Sequence, residues 1–244
     1  MEQLKNILFI DIETVPVVPG HAMLPPALQA EWAKKAKYLK SSNDENAGPD
    51  VLYGEKAGIF SEFAKVVCIG FASFHKHGDT WKFRMKSLTN DDEKVLLNDF
   101  CEVISKFTGR YSELRFCGHN IKEFDIPFLC RRMVINDLQL PECMQLSGKK
   151  PWEISHLDTL ELWRFGDYKH FTSLALLAAV LGIPSPKDDI DGSMVGEVYW
   201  KERDLARIGK YCLRDVLTTA KVFLRLKGIK DEFPEPVFVD EHDR

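Results

Sequence analysis

Two acids stand where an apolar run ends. The stretch ILFIDIETVP, residues 7–16, puts Asp11 and Glu13 directly behind four apolar residues. Side chains two apart on a strand leave the same face. Two carboxylates held together repel, so one takes up a proton unless a cation lies between them. Oxygen donors of this kind suit a hard divalent ion, Mg²⁺ or Mn²⁺. A solvated loop carries the same Asp-x-Glu pattern, so the pair by itself decides nothing.

Two further stretches add acids. GHNIKEFDIPFL, residues 118–129, embeds Asp125 between Phe124 and Ile126-Pro127-Phe128. An acid in such surroundings needs a partner, and it reads either as a helix N-cap or as a ligand. IGKYCLRDVLTTA, residues 208–220, sets Tyr211 and Asp215 four apart, on one face of a helix. A rim tyrosine beside an acid paired with Arg214 or Lys210 is the structural alternative.

The elements that must position these residues follow from periodicity and breakers. Residues 7–10 read as a fully buried strand, broken by Pro16, Pro19 and Gly20. Pro25-Pro26 opens a helix, and residues 41–49 are a polar loop. Strands are expected over 65–74 and 80–85, with a turn at His77-Gly78-Asp79. A helix over 89–107 is capped by Thr89 or Asn90, with Val95, Leu96, Phe100, Val103, Ile104 and Phe107 as its apolar face. A strand at 114–117, a helix at 122–136, a strand at 154–159 and a helix at 173–181 come next. A long amphipathic pattern over 197–227 breaks near Asp204 or Gly209. The tail DEFPEPVFVDEHDR reads as a loosely attached extension.

Composition limits the partners. A net charge of −4 argues against a coat that binds polyanions by charge alone. Divalent cations held by acids would remove that objection, adding two charges per ion. The longest apolar run, residues 174–183, is too short to cross a bilayer, and the N-terminal MEQLKN has no leader pattern. The six cysteines form no CxxC and no zinc spacing, which fits reduced thiols in a cytoplasmic protein.

Taken in order, FIDIET, HNIKEFD and YCLRD resemble the DEDD superfamily of 3′–5′ exonucleases. Asp11, Glu13, Asp125 and Asp215 take the places of its four acids, and Tyr211 matches the tyrosine subgroup. The motif Asn-x-x-x-Phe-Asp is similar to that of the proofreading domain of family B DNA polymerases. The chain as a whole resembles the stand-alone predicted exonucleases related to that domain. AGIFSEFAKVVCIGF and FTSLALLAAVLGIPSPKDDIDG extend the likeness over nearly the whole chain.

The resemblance implies an α/β fold, ribonuclease H-like, with a mixed five- to six-stranded sheet flanked by helices on both sides. It implies one exonuclease domain over 1–228, with 16–62 inserted between the first two strands and 229–244 as an acidic tail. It also implies two-metal hydrolysis of phosphodiester bonds, with two Mg²⁺ or Mn²⁺ ions held by Asp11, Glu13, Asp125 and Asp215. Asp11 would bridge the ions, and Tyr211 would orient the attacking water. Thr14, Asn120, Phe124 and Lys187 become candidate nucleic-acid contacts, with Lys149-Lys150 and Lys169-His170 as a basic rim. The expected substrate is a single-stranded DNA 3′ end, and the product a nucleoside 5′-monophosphate. No polymerase palm is expected in the remaining length. RNA or short oligonucleotides, a catalytically silent nucleic-acid-binding module, and a carboxylate-pair sugar hydrolase stay open as other readings.

Overall fold

The computed structural model describes residues 1–41, 44, 46–111, 113–184 and 190–239. The first strand, β1 (Ile7–Pro16), is buried on both sides, which is why its sequence is a continuous apolar run and not an alternation. Leu8, Ile10 and Ile12 face one layer of helices, while Ile7 and Phe9 face the other. Two helices, α1 (Pro26–Ala36) and α2 (Pro49–Lys56), fill the insertion where one was expected. Both start at a proline in the first turn and close around the buried Trp32 and Tyr53.

Strands β2 (Ala64–His77) and β3 (Thr80–Thr89) form a long hairpin turned at Gly78, whose φ of 57° suits glycine. The helix α3 (Glu93–Arg110) follows. Its cap is Asp92, which accepts from the N–H groups of Lys94 and Val95 at 2.9 and 3.3 Å, and not Thr89 or Asn90. Thr89 still belongs to β3, so the strand takes the residues the cap was expected to use. Val95 is exposed and Leu97 is buried instead, beside Leu96, Phe100 and Ile104 on the face that meets the sheet.

Strand β4 (Arg115–Gly118) leads to α4 (Asp125–Ile135). The strand expected over 154–159 reduces to β5 (Leu157–Asp158), since Asp158 caps a short helix, α5 (Thr159–Arg164). Helix α6 (Leu174–Val180) starts at its cap Ser173. The amphipathic stretch divides into α7 (Val195–Glu197), continued by a π turn (Val198–Glu202), and the long α8 (Leu205–Leu226). The break falls at Arg203, with φ 60°, and at the cap Asp204, while Gly209 lies inside α8.

The six strands lie in the order β5-β4-β1-β2-β3-β6, where β6 is Pro236–Phe238. The β1/β2 and β2/β3 pairs are antiparallel; the others are parallel. The tail is therefore not loose as far as Val239. It adds an edge strand beside β3, and Phe233 packs its ring 5.0 Å from that of Phe83. The packing of Phe233 against Phe74 and Phe83 and the pairing with β3 outweigh the flanking acids.

Helices α3 and α4 cover one face of the sheet and α8 covers the other. A buried ion pair ties the first two: Arg132 of α4 meets Glu93 of α3 at 2.5 and 2.9 Å, and Glu93 also accepts the Val66 N–H of β2. On the other face α8 runs close over the hairpin at Gly70. A Cβ built on Gly70 would lie 2.8 Å from Cys212 Sγ and 3.2 Å from Val216 Cγ2. We expect Gly70→Ala to cost about 1–3 kcal/mol in denaturant unfolding. Combined with Cys212→Ala, the loss should be smaller than the sum of the two single losses.

Candidate active site

The carboxylates gather where β1 emerges beyond β4. Strand β4 pairs with β1 only as far as Phe9, so the edge of β1 beyond it is open on that side. Asp11 and Glu13 sit opposite Gly70 and Cys68 of β2, and a register shift follows immediately after Glu13. Such a bulge re-aims the side chains around it. The Thr14 hydroxyl, just past the shift, donates to the Gly58 carbonyl at 2.7 Å.

Asp125 reaches the open edge of β1 from α4. It is the first residue of that helix and not its cap, and the Ile12 N–H faces its carboxyl. The turn that delivers it is held from below by Asp158, which accepts from the N–H groups of Asn120 and Lys122 at 3.0 and 3.1 Å. Asn120 takes a left-handed φ of 64°, a conformation asparagine tolerates, and its side-chain oxygen is buried without a partner. A Cβ on Gly118 would lie 2.7 Å from Ile121 Cβ, so the tight turn requires glycine. Tyr211 and Asp215 come from one face of α8, beside Cys212.

Burial acts on all five groups in the same direction, upward. Burial first, then the charges of Asp125 and Asp215, hold the Asp11 carboxyl well above the usual carboxylate range. Burial and the Asp11 charge do the same to Glu13. Burial pushes Asp125 up to about 7. It also raises Asp215 to about 6, although a hydrogen bond from the Tyr211 hydroxyl acts in the opposite direction. Tyr211 is raised above its ordinary value by burial and by the charges of Asp215, Glu13 and Asp11. Among the described residues no lysine or arginine forms an ion pair with any of the four acids.

Asp11 and Glu13 offer hard oxygen donors of the kind that suits a divalent ion, while Asp125 and Asp215 stand outside the set of ligand atoms that all lie close to one another. Ligand atoms of Asp11, Glu13 and Cys212 lie within 4.8 Å of one another. Cys212 was not singled out from the sequence as a site residue. Burial, then the neighbouring Cys68, holds its thiol well above its ordinary value. It donates toward the Asp11 backbone carbonyl at 3.3 Å and its carboxylate at 3.5 Å. No sequence signal marks it beyond its place one residue after Tyr211.

The remaining candidates are placed unevenly. Phe124 is half-buried, with its ring 5.4 Å from that of Phe128. Lys187 lies outside the described residues. Lys149, Lys150, Lys169 and His170 are exposed. Among the described residues no helix is long and apolar enough to cross a membrane.

A mixed six-stranded sheet flanked by helices is a ribonuclease H-like α/β fold. Residues 59–244 match the family described as predicted 3′–5′ exonucleases related to the exonuclease domain of PolB, and the chain belongs to that family. Asp125, Tyr211 and Asp215 fall inside the matched residues; Asp11 and Glu13 precede them. Among solved structures the chain is similar to the family B DNA polymerase from the hyperthermophilic archaeon Pyrobaculum calidifontis. The identity is 17% and the TM-score 0.50, over 89% of this chain and 24% of that one, a likeness of fold. No curated protein matches the chain.

The pH dependence of the metal-free protein follows from these shifts. A carboxyl whose folded pKa lies above its unfolded value contributes stability at low pH and loses it as pH rises through the folded value. Asp125 and Asp215 should therefore make the metal-free Tm fall from about pH 4 to above pH 7. Added Mn²⁺ should restore more at pH 8 than at pH 5. Asp125→Asn should raise the metal-free Tm at pH 8, by about 2–4 °C for each kcal/mol of burial and repulsion relieved, and should blunt the gain from Mn²⁺. Differential scanning calorimetry reads both effects.

Proposed function

We propose that the chain is a divalent-cation-dependent 3′–5′ exonuclease acting on single-stranded DNA ends and releasing nucleoside 5′-monophosphates, with residues 1–228 as its working domain. The observation that carries this reading is geometric: ligand atoms of Asp11 and Glu13 on β1 lie within 4.8 Å of each other and of Cys212 on α8, with Tyr211 hydrogen-bonded to Asp215 on the same helix and Asp125 of α4 facing the Ile12 N–H. The four carboxylates would hold two cations, Mg²⁺ or Mn²⁺. When bound, such a pair acidifies the attacking water and stabilises charge on the departing 3′ oxygen.

The chain's own residues supply alignment. Tyr211 keeps its proton, because burial and the neighbouring acids raise its pKa. Its hydroxyl therefore orients the water and does not deprotonate it. Asp215 fixes that hydroxyl, and Cys212 fixes Asp11. Thr14 already donates to Gly58, so toward a terminal 3′-OH its hydroxyl is left as an acceptor. Phe124 has ring surface open to the last base, where stacking is worth about 1–3 kcal/mol. The unpartnered side-chain oxygen of Asn120 would accept from the strand, and Lys187 would meet a phosphate. The choice of DNA is supported by the family's relation to PolB.

Single-stranded DNA labelled at the 5′ end should yield a descending ladder with Mn²⁺ and none with EDTA. The same strand labelled at the 3′ end should release labelled mononucleotide at once. Faster decay of a matched RNA would reassign the substrate. Asp11→Ala should abolish the ladder, and residual activity equal to wild type would reject the site. Tyr211→Phe should lower kcat about 10–100-fold with little change in KM, the effect of losing a group that orients a reactant.

A further inference from the structure

On the face of the sheet opposite Asp11 and Glu13 lies a cleft of about 260 Å³. Strand alternation separates the two. Asp11 and its neighbour Gly70 meet α8, whereas Phe71 packs into the layer of α3 and α4. Ser73 and His75 leave the sheet on the same side as Phe71, and so do Lys86 and Arg84, which pair with Phe71 and Ser73 across the hairpin. The last turns of α3 bring Lys106 and Arg110 to the same cleft. Among the described residues no acid lines it, and none of these four cations forms an ion pair.

That concentration costs stability. Like charges repel when they sit two apart on a strand or four apart on a helix. It occurs in a chain whose net charge is −4. His75 records the field: burial, then Arg110 and Arg84, hold its pKa below the ordinary value. One wall is aromatic. Phe107 and Tyr111 have rings 5.5 Å apart, and the Arg110 guanidinium lies 5.8 Å from the Tyr111 ring.

We propose that this cleft is a second nucleotide-binding site, separate from the carboxylates and without chemistry of its own. Arg84, Lys86, Lys106 and Arg110 take phosphates, and one base lies against Tyr111. Two arginines offer the planar fork that matches phosphate oxygens. The aromatic wall gives a base a stacking surface that an acidic peptide would leave unused. The ligand would be one nucleotide unit, either free or within a strand that passes behind the sheet. The proposal does not depend on the exonuclease reading.

The test uses the full chain with Asp11→Ala, in EDTA, so that no probe is degraded. Fluorescein-labelled dodecathymidylate and a fluorescent ATP analogue are titrated separately, with and without Lys106→Glu/Arg110→Glu. The reversal should weaken the strand about tenfold or more. It should also flatten the plot of log affinity against log salt by about 1.4, the share of two phosphate contacts on a single strand. A loss confined to the ATP analogue would identify free nucleotide as the ligand and also uphold the site. Tyr111→Ala should weaken either ligand more than it weakens inorganic triphosphate. Unchanged affinity and salt slope for both probes would overturn the proposal, whether or not the carboxylate site binds a strand. A poly-glutamate peptide competing as well as the strand would also overturn it. Should the reversal unfold the chain, Lys106→Gln/Arg110→Gln carries the same test, because both side chains are exposed on α3.

Discussion

Four carboxylates gathered around the end of β1, Glu13 and Asp125 buried and Asp11 and Asp215 half-buried, are the constraint around which this chain is built. Burial and mutual repulsion act in the same direction on Asp11 and Glu13, so the site tends to push itself apart. Its parts stay together because each is anchored outside it. Two residues before Asp11, Phe9 is wedged among Phe74, Phe83 and Phe223 with ring centroids 5.7, 5.8 and 5.7 Å away. That aromatic cluster joins β1 to α8, which carries Tyr211 and Asp215. The Glu93–Arg132 pair joins α4 to α3 and β2, and Asp158 pins the turn before Asp125.

These anchors differ in kind, and the difference has a physical basis. The α8 side is held by apolar area and shape, which act without direction and tolerate charge nearby only at the rim. The α4 side is held by directed hydrogen bonds, which fix orientation as well as distance. Asp125 stands at a helix start against a strand edge, where a small rotation would carry its carboxyl away from Ile12. A directional anchor suits that position. The bulge after Glu13 and the glycine at position 70 complete the arrangement: one re-aims the strand, and the other lets the helix come close.

Charge is also sorted by face. The unpartnered acids lie on the α8 side and at the open edge of β1. The cations of the hairpin and α3, without ion pairs among the described residues, lie behind the sheet. The sheet between them is apolar and well packed, and it keeps the two sets from neutralising each other.

Much of this was legible before any coordinates. The run before Asp11 reads as a buried strand because both its faces are covered. Tyr211 and Asp215 read as neighbours because helical spacing alone makes them so. The strand and helix order followed from periods and breakers, and the three motifs in order pointed to the fold. Less legible were features set by competition between elements. Thr89 extended β3 and left the cap of α3 to Asp92. The tail paired with β3 because an edge was free and Phe233 found an aromatic cluster. The contact of Cys212 with Asp11 joins residues 201 apart in the chain, and no local pattern encodes it. Sequence by itself determined which groups were available and which pairs share a face, since those depend on spacing within one element. Only the tertiary structure decided that the acids meet in one recess, and at what cost in protonation, since burial and through-space charge exist only once separate elements have packed.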